Sequence, residues 1–114
     1  MRPAKLAARV EVSALIRRIE GEGGHGVVLA RGDGESGAIL MLLAERGVPA
    51  MLLERVLVPS GDYRWQRTGP RDVGNSDALA AYIQRRQNFD RDLWVVELDI
   101  AGVDRFADEM ISAG

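Results

Sequence analysis

The chain carries few side chains fit for covalent chemistry. It has no Cys and a single His, His25, set among Gly23, Gly24 and Gly26. Thiol catalysis, disulfides and cysteine-ligated metals are excluded by that count. A structural zinc site, which takes four Cys or His ligands, goes with them. A His between glycines is more often a turn residue than a general base. Ser13 and Ser36 have no visible base, and no G-x-S-x-G element is present. No catalytic residue, resident metal or cofactor is therefore assigned; an enzyme is not the expected reading, although carboxylate chemistry stays open.

Four groups of residues have types and spacing suited to binding. Asp90 and Asp92, with Glu97 and Asp99 beyond them, could hold Mg²⁺ or Ca²⁺ through oxygen ligands. The plainer reading has Asp90 and Asp92 accepting backbone N–H groups in a turn that feeds a strand, with Glu97 and Asp99 on a solvated strand edge. Tyr63-Arg64-Trp65-Gln66-Arg67, followed by Arg71, interleaves aromatics with guanidiniums, the pattern that stacks and neutralises single-stranded nucleic acid. A half-buried strand alternates in the same way, with Tyr63 and Trp65 inward and Arg64 and Gln66 outward. Arg17, Arg18, Arg85 and Arg86 could converge from two helices on a phosphate or carboxylate, or form ordinary solvated faces. Gly32-Asp33-Gly34-Glu35-Ser36-Gly37 could cradle an anion with its backbone N–H groups. It lacks the Lys and the spacing of a Walker loop and precedes a strand rather than a helix, so a hairpin turn is expected there.

The elements that must position these groups are legible from periodicity. Leu6, Ala8, Val10 and Val12 alternate with other residues and suggest a short extended entry; the same residues could instead extend the next helix back toward Pro3. Val12, Leu15, Ile16 and Ile19 then form a helical stripe, with Ser13 as N-cap and Gly21 to Gly24 as terminator. Strands are expected at 26–31, 38–44, 50–58 and 63–68. The second is apolar throughout and so central, covered on both faces; the fourth is an edge. Asn75 or Ser76 caps a second helix with Leu79, Tyr82 and Ile83 on its apolar side. Trp94, Val96, Leu98 and Ile100 form the core side of a last strand. Val103, Phe106, Ala107, Met110 and Ile111 line a terminal amphipathic helix that must pack on the sheet or on a second molecule. The order predicts an α+β fold: a mostly antiparallel sheet of about five strands with two or three helices packed on it.

Length and composition set the outer bounds. At 114 residues the chain is expected to form one domain, 1–114. Its 46% hydrophobic and 28% charged residues are ordinary for a globular protein. A net charge of −2 argues against a dedicated nucleic-acid binder. No window approaches ~18 consecutive apolar residues, and the first residues lack the apolar run of a secretory signal. A cytoplasmic location with no membrane partner is the expectation.

Val12-Ser13-Ala14-Leu15-Ile16-Arg17-Arg18 resembles the opening of the bacterial domain-of-unknown-function family numbered 1491. Arg31-Gly32-Asp33 with Gly37-Ala38-Ile39 looks like that family's first hairpin, and Phe89-Asp90-Arg91-Asp92-Leu93-Trp94-Val95-Val96-Glu97 is similar to its most recognisable motif, with Arg91 where Pro is expected. The resemblance spans roughly residues 5–100 and implies a small bacterial protein without known activity; it carries no catalytic residue. The leading expectation is a non-catalytic module that binds another protein or, as a homodimer, itself. Its candidate surface is Tyr63, Arg64, Trp65, Arg67 and Arg71. The alternative is nucleotide or single-stranded nucleic-acid binding through Arg64, Arg67 and Arg71. A weaker one is a carboxylate- or Mg²⁺-dependent enzyme around the acidic group Asp90, Asp92 and Glu97.

Overall fold

The computed structural model describes residues 6–113. Five strands and three helices follow in the order α1 (Ala8–Gly21), β1 (His25–Ala30), β2 (Ile39–Glu45), β3 (Val48–Leu57), β4 (Tyr63–Thr68), α2 (Ser76–Phe89), β5 (Trp94–Asp99) and α3 (Val103–Ala113). The α+β expectation holds, and the sheet is mixed. Its spatial order is β1-β5-β2-β3-β4. The β1/β5, β2/β3 and β3/β4 pairs are antiparallel, and the β2/β5 pair is parallel.

The last strand thus enters between the first two. The reading of Gly32–Gly37 as a hairpin turn between paired neighbours is overturned: β1 and β2 do not pair, because β5 lies between them. The connection must step over β5, a lateral distance of about 9–10 Å for two strand spacings. It does so against the start of β5 at very close range. A Cβ on Gly32 would lie 2.0 Å from the Asp92 carbonyl oxygen, and one on Gly37 2.5 Å from the same atom. These two glycines are required by proximity.

β2 is buried from Ile39 to Ala44, as a central strand covered on both faces should be. Ile39, Met41 and Leu43 face one core with Trp94, Val96 and Leu98 of β5, Ile19 of α1, and Val103, Phe106, Ala107 and Met110 of α3. Leu40 and Leu42 face the other core with Leu52, Leu93, Val95 and Leu79 of α2. α1 and α3 therefore share one face of the sheet, and α2 covers part of the opposite one. Val103, Phe106, Ala107 and Met110 of the α3 stripe are buried in the core under α1 and α3, while Ile111 is 40% exposed.

Two expectations about α1 are corrected. Ala8 to Val12 is helical rather than extended, and Ser13 is an exposed residue of the helix interior; Pro3 lies outside the described residues. The N-cap position is Ala7, which makes no side-chain capping bond. The orphan N–H groups of the first turn are instead met by a distant loop: Ala8 N–H donates to the Glu35 carbonyl and Arg9 N–H to the Gly34 carbonyl, each at 3.0 Å. A capping partner some 25 residues along the chain leaves no local sequence signal. At α2 the local signal does operate, and Asn75 Oδ1 accepts from Ala78 N–H at 3.0 Å.

Trp94 is 3% exposed, and its indole N–H donates to the Asp33 carbonyl at 2.7 Å. Truncation by Trp94→Ala should cost about 3–5 kcal/mol in urea unfolding. Trp94→Phe, which keeps a ring and removes that hydrogen bond while the carbonyl keeps the one from Gly37 N–H, should cost about 0.5–1.5 kcal/mol. A Phe variant as unstable as the Ala variant would mean that the indole N–H and its fit, which both variants lose, set the cost in place of ring volume.

Candidate functional site

The acidic group does not converge. Asp90 Oδ1 accepts the N–H of Asp92 at 2.9 Å, a local turn bond. Glu97 lies five residues further along an extended strand, about 16 Å away at ~3.3 Å per residue. Among the described residues no group of three or more His, Asp or Glu could hold a metal ion. Asp99 is not simply a solvated edge residue. Its carboxylate accepts from Arg46 N–H at 2.9 Å and from Gly47 N–H at 2.7 Å. Those two residues have positive φ, 53° and 78°, and form the two-residue turn between β2 and β3. Asp99 thereby ties the end of β5 to that turn.

The β4 segment divides between the two faces. Tyr63, Trp65 and Arg67 alternate with Arg64 and Gln66. Trp65 is 7% exposed and belongs to the core under α1 and α3, so its ring is closed to stacking on a base. The Tyr63 ring instead lies beneath the Arg55 guanidinium, 3.8 Å from its centroid. Arg55 appears in the sequence only as an interruption of an apolar strand, yet it is 2% exposed and donates to the Leu6 carbonyl at 2.9 Å. It belongs to the packing under the start of α1, as does the buried Glu11. Arg64, Arg67 and Arg71 are exposed.

The four helix arginines stay apart, because α1 and α2 lie on opposite faces of the sheet. Arg18 bonds Glu109 at 2.5 Å and Glu22 at 3.1 Å, linking α1 to α3, and it lies over the Phe106 ring. The hydrogen bond to Glu109 raises its guanidinium further above its ordinary range, against partial burial. Arg86 makes a two-pronged contact with Glu54, at 3.0 and 2.5 Å, and also donates to the Tyr82 hydroxyl. The bonds to Glu54 are the main reason why its charge is held more firmly than usual. Tyr82 shares a 2.7 Å hydroxyl bond with Thr68 of β4. This network, with Leu79, Tyr82 and Ile83, fixes α2 to the sheet.

A cationic groove that the sequence reading did not assemble lies along the outer side of α1. Arg9, Val10, Ser13, Ala14 and Arg17 of α1 and Arg31 at the end of β1 line a space of about 330 Å³. One α1 face was readable from the i, i+3/i+4, i+7 spacing of Val10, Ser13, Ala14 and Arg17. Arg31 joins it only through the docking of β1. The neighbouring loop is well fixed: Asp33 N–H donates to the Asp92 carbonyl, and Gly37 N–H to that of Asp33. The Asp33 carboxylate accepts both the N–H (2.8 Å) and the hydroxyl (3.1 Å) of Ser36. The N–H groups of Asp33, Ser36 and Gly37 are thus spent on partners within the protein and are not directed at an anion.

Comparison with known proteins places the chain. A family model described as protein of unknown function (DUF1491) matches residues 6–108. The chain belongs to the DUF1491 family. Two solved structures of a DUF1491 family protein from Caulobacter crescentus are similar to it. The crystal structure shares 34% identity at a TM-score of 0.71, over 82% of this chain and 87% of that one. The NMR structure shares 32% at 0.73, over 86% and 88%. The solution structure of protein Atu0922 from A. tumefaciens shares 29% at 0.72, over 87% and 89%. No curated protein matches the chain. The DUF1491 match carries no activity with it, so any reading of function rests on the geometry.

Two outcomes follow. Arg86→Ala leaves the largely sheltered Glu54 carboxylate unpaired and should cost about 1–3 kcal/mol in chemical denaturation. Separately, bonds from Ser36 N–H and then its hydroxyl hold the Asp33 carboxyl below its ordinary value. A depressed folded-state pKa contributes stability above the unfolded value, near 3.9 for Asp, and that contribution is lost as pH falls through the folded value. Protection of the Ser36 amide from exchange, taken relative to an unstructured amide at the same pH, should fall in that acid window and stay constant above it; an Asp33→Asn variant should show no such step.

Proposed function

We propose that this protein is a non-catalytic module that associates with a second copy of itself along the outer edge of β1. The observation that carries this reading is the character of that edge. Among the described residues β1 pairs with β5 alone, so its other side presents backbone donors and acceptors. From His25 to Ala30 it holds no Lys, Arg, Asp or Glu, and Val27 and Leu29 are 40% and 52% exposed. Sheet edges are ordinarily guarded by charge, Pro or coverage. The opposite edge follows that rule, with Arg64 and Arg67 exposed on β4. On β1 the guard is a single irregularity of register between Val28 and Ala30, a weaker device.

An antiparallel β1-to-β1 contact across a two-fold axis would extend each five-stranded sheet into its partner and bury Val27 and Leu29. Such an interface is self-complementary, as closed dimers require, and strand addition is a common mode of recognition.

Light scattering coupled to size exclusion should return about twice the chain mass of 12.5 kDa. The double substitution Val27→Lys and Leu29→Lys should return the single-chain mass, with an unchanged circular dichroism spectrum. Lys at Arg64, on the other edge, should leave the dimer intact. A wild-type chain that stays monomeric at high micromolar concentration would overturn the proposal.

A further inference from the structure

We propose that the groove between α1 and Arg31 binds a small phosphate monoester. Three arginines line it, Arg9, Arg17 and Arg31, together with Ser13. Arg9 is neutralised by an ion pair with Glu35. Arg17 and Arg31 pair with no carboxylate among the described residues; Arg31 lies over the Trp94 ring, 5.4 Å from its centroid. Two uncompensated cations in one groove match a group that carries close to two negative charges at neutral pH, as a phosphate monoester does. Arg is the side chain suited to it, because its planar fork donates two parallel bonds to adjacent oxygens.

The groove is also preorganised. Arg31 begins the loop whose course is fixed by the close approach of Gly32 and Gly37 to Asp92 and by the bond from the Trp94 indole to Asp33. The same loop caps α1, the helix that carries Arg9, Arg17 and Ser13. The two walls are therefore tied to each other by backbone bonds, and little order has to be gained on binding. A volume of about 330 Å³ is at the small end for ligand sites, which favours a compact metabolite over an extended polymer. The proposal is independent of the dimer. Val27 pairs across from Glu97 and Val28 from Val96, and Val96 faces the α1 core, so Val27 stands on the other side of the sheet.

The test is an NMR titration of the full chain with inorganic phosphate at constant ionic strength, held with sodium chloride. It reads the Trp94 indole N–H and the amides of Ser13, Arg17 and Arg31. A saturable shift confined to these signals is expected. Arg17→Gln, an exposed change that leaves the Trp94 contact in place, should weaken it about tenfold or more, Arg31→Gln should do the same, and Arg64→Gln should leave it unchanged. A shift reproduced by chloride, one spread equally over Arg64 and Arg67, or one indifferent to Arg17→Gln would overturn the proposal.

Discussion

The rest of the structure depends on the insertion of β5 between β1 and β2. Once the strand nearest the C-terminus is central, three consequences follow from geometry. The connection from β1 to β2 must cross the start of β5, which forces glycine at 32 and 37 and brings Asp33 to the Trp94 indole. The end of β5 is delivered to the β2–β3 turn, where Asp99 satisfies the N–H groups of Arg46 and Gly47. And β1 becomes the outermost strand, with its far edge unpaired among the described residues.

The two faces of the sheet are secured differently. α1 and α3 lie on a broad apolar core and are joined to each other by Arg18, which reaches Glu22, Glu109 and the Phe106 ring. α2 lies over a smaller core and relies more on polar contacts: the two hydrogen bonds that Arg86 donates to Glu54 and the Tyr82 to Thr68 pair. Partly sheltered charge pairs of this kind fix position more than they add stability, since desolvation offsets much of their attraction. Phe89, at the end of α2, is 86% exposed and takes no part in either core.

Features set by neighbouring residues were legible in the sequence. The unbroken apolar run of β2 announced a strand covered on both sides; Asn75 announced its helix; the core side of β5 and the stripe of α3 followed from periodicity. What depends on distant partners was not. The pairing of β1 is decided by a strand some seventy residues later. The start of α1 is capped by carbonyls of Gly34 and Glu35 in place of a side chain. Arg55 looked like a polar break in a strand and is instead a packed residue under Tyr63. The cationic groove stayed hidden for the same reason: half of it is one helix face, and the other half is a single arginine brought there by the sheet.

The position of β5 also sets an order on synthesis. A ribosome releases β1 and β2 long before β5 exists, and the two are joined by a Gly-rich segment that would suit direct pairing. Until Trp94–Asp99 emerges, the slot between them is an apolar cleft with two open strand edges, the kind of surface on which nascent chains misassociate. β1 cannot complete its pairing until β5 has been made. Such long-range pairing is slow to close, so the newly made chain passes through a vulnerable interval whose length is fixed by topology, and a chain cut short before Trp94 has no complete sheet to fold into.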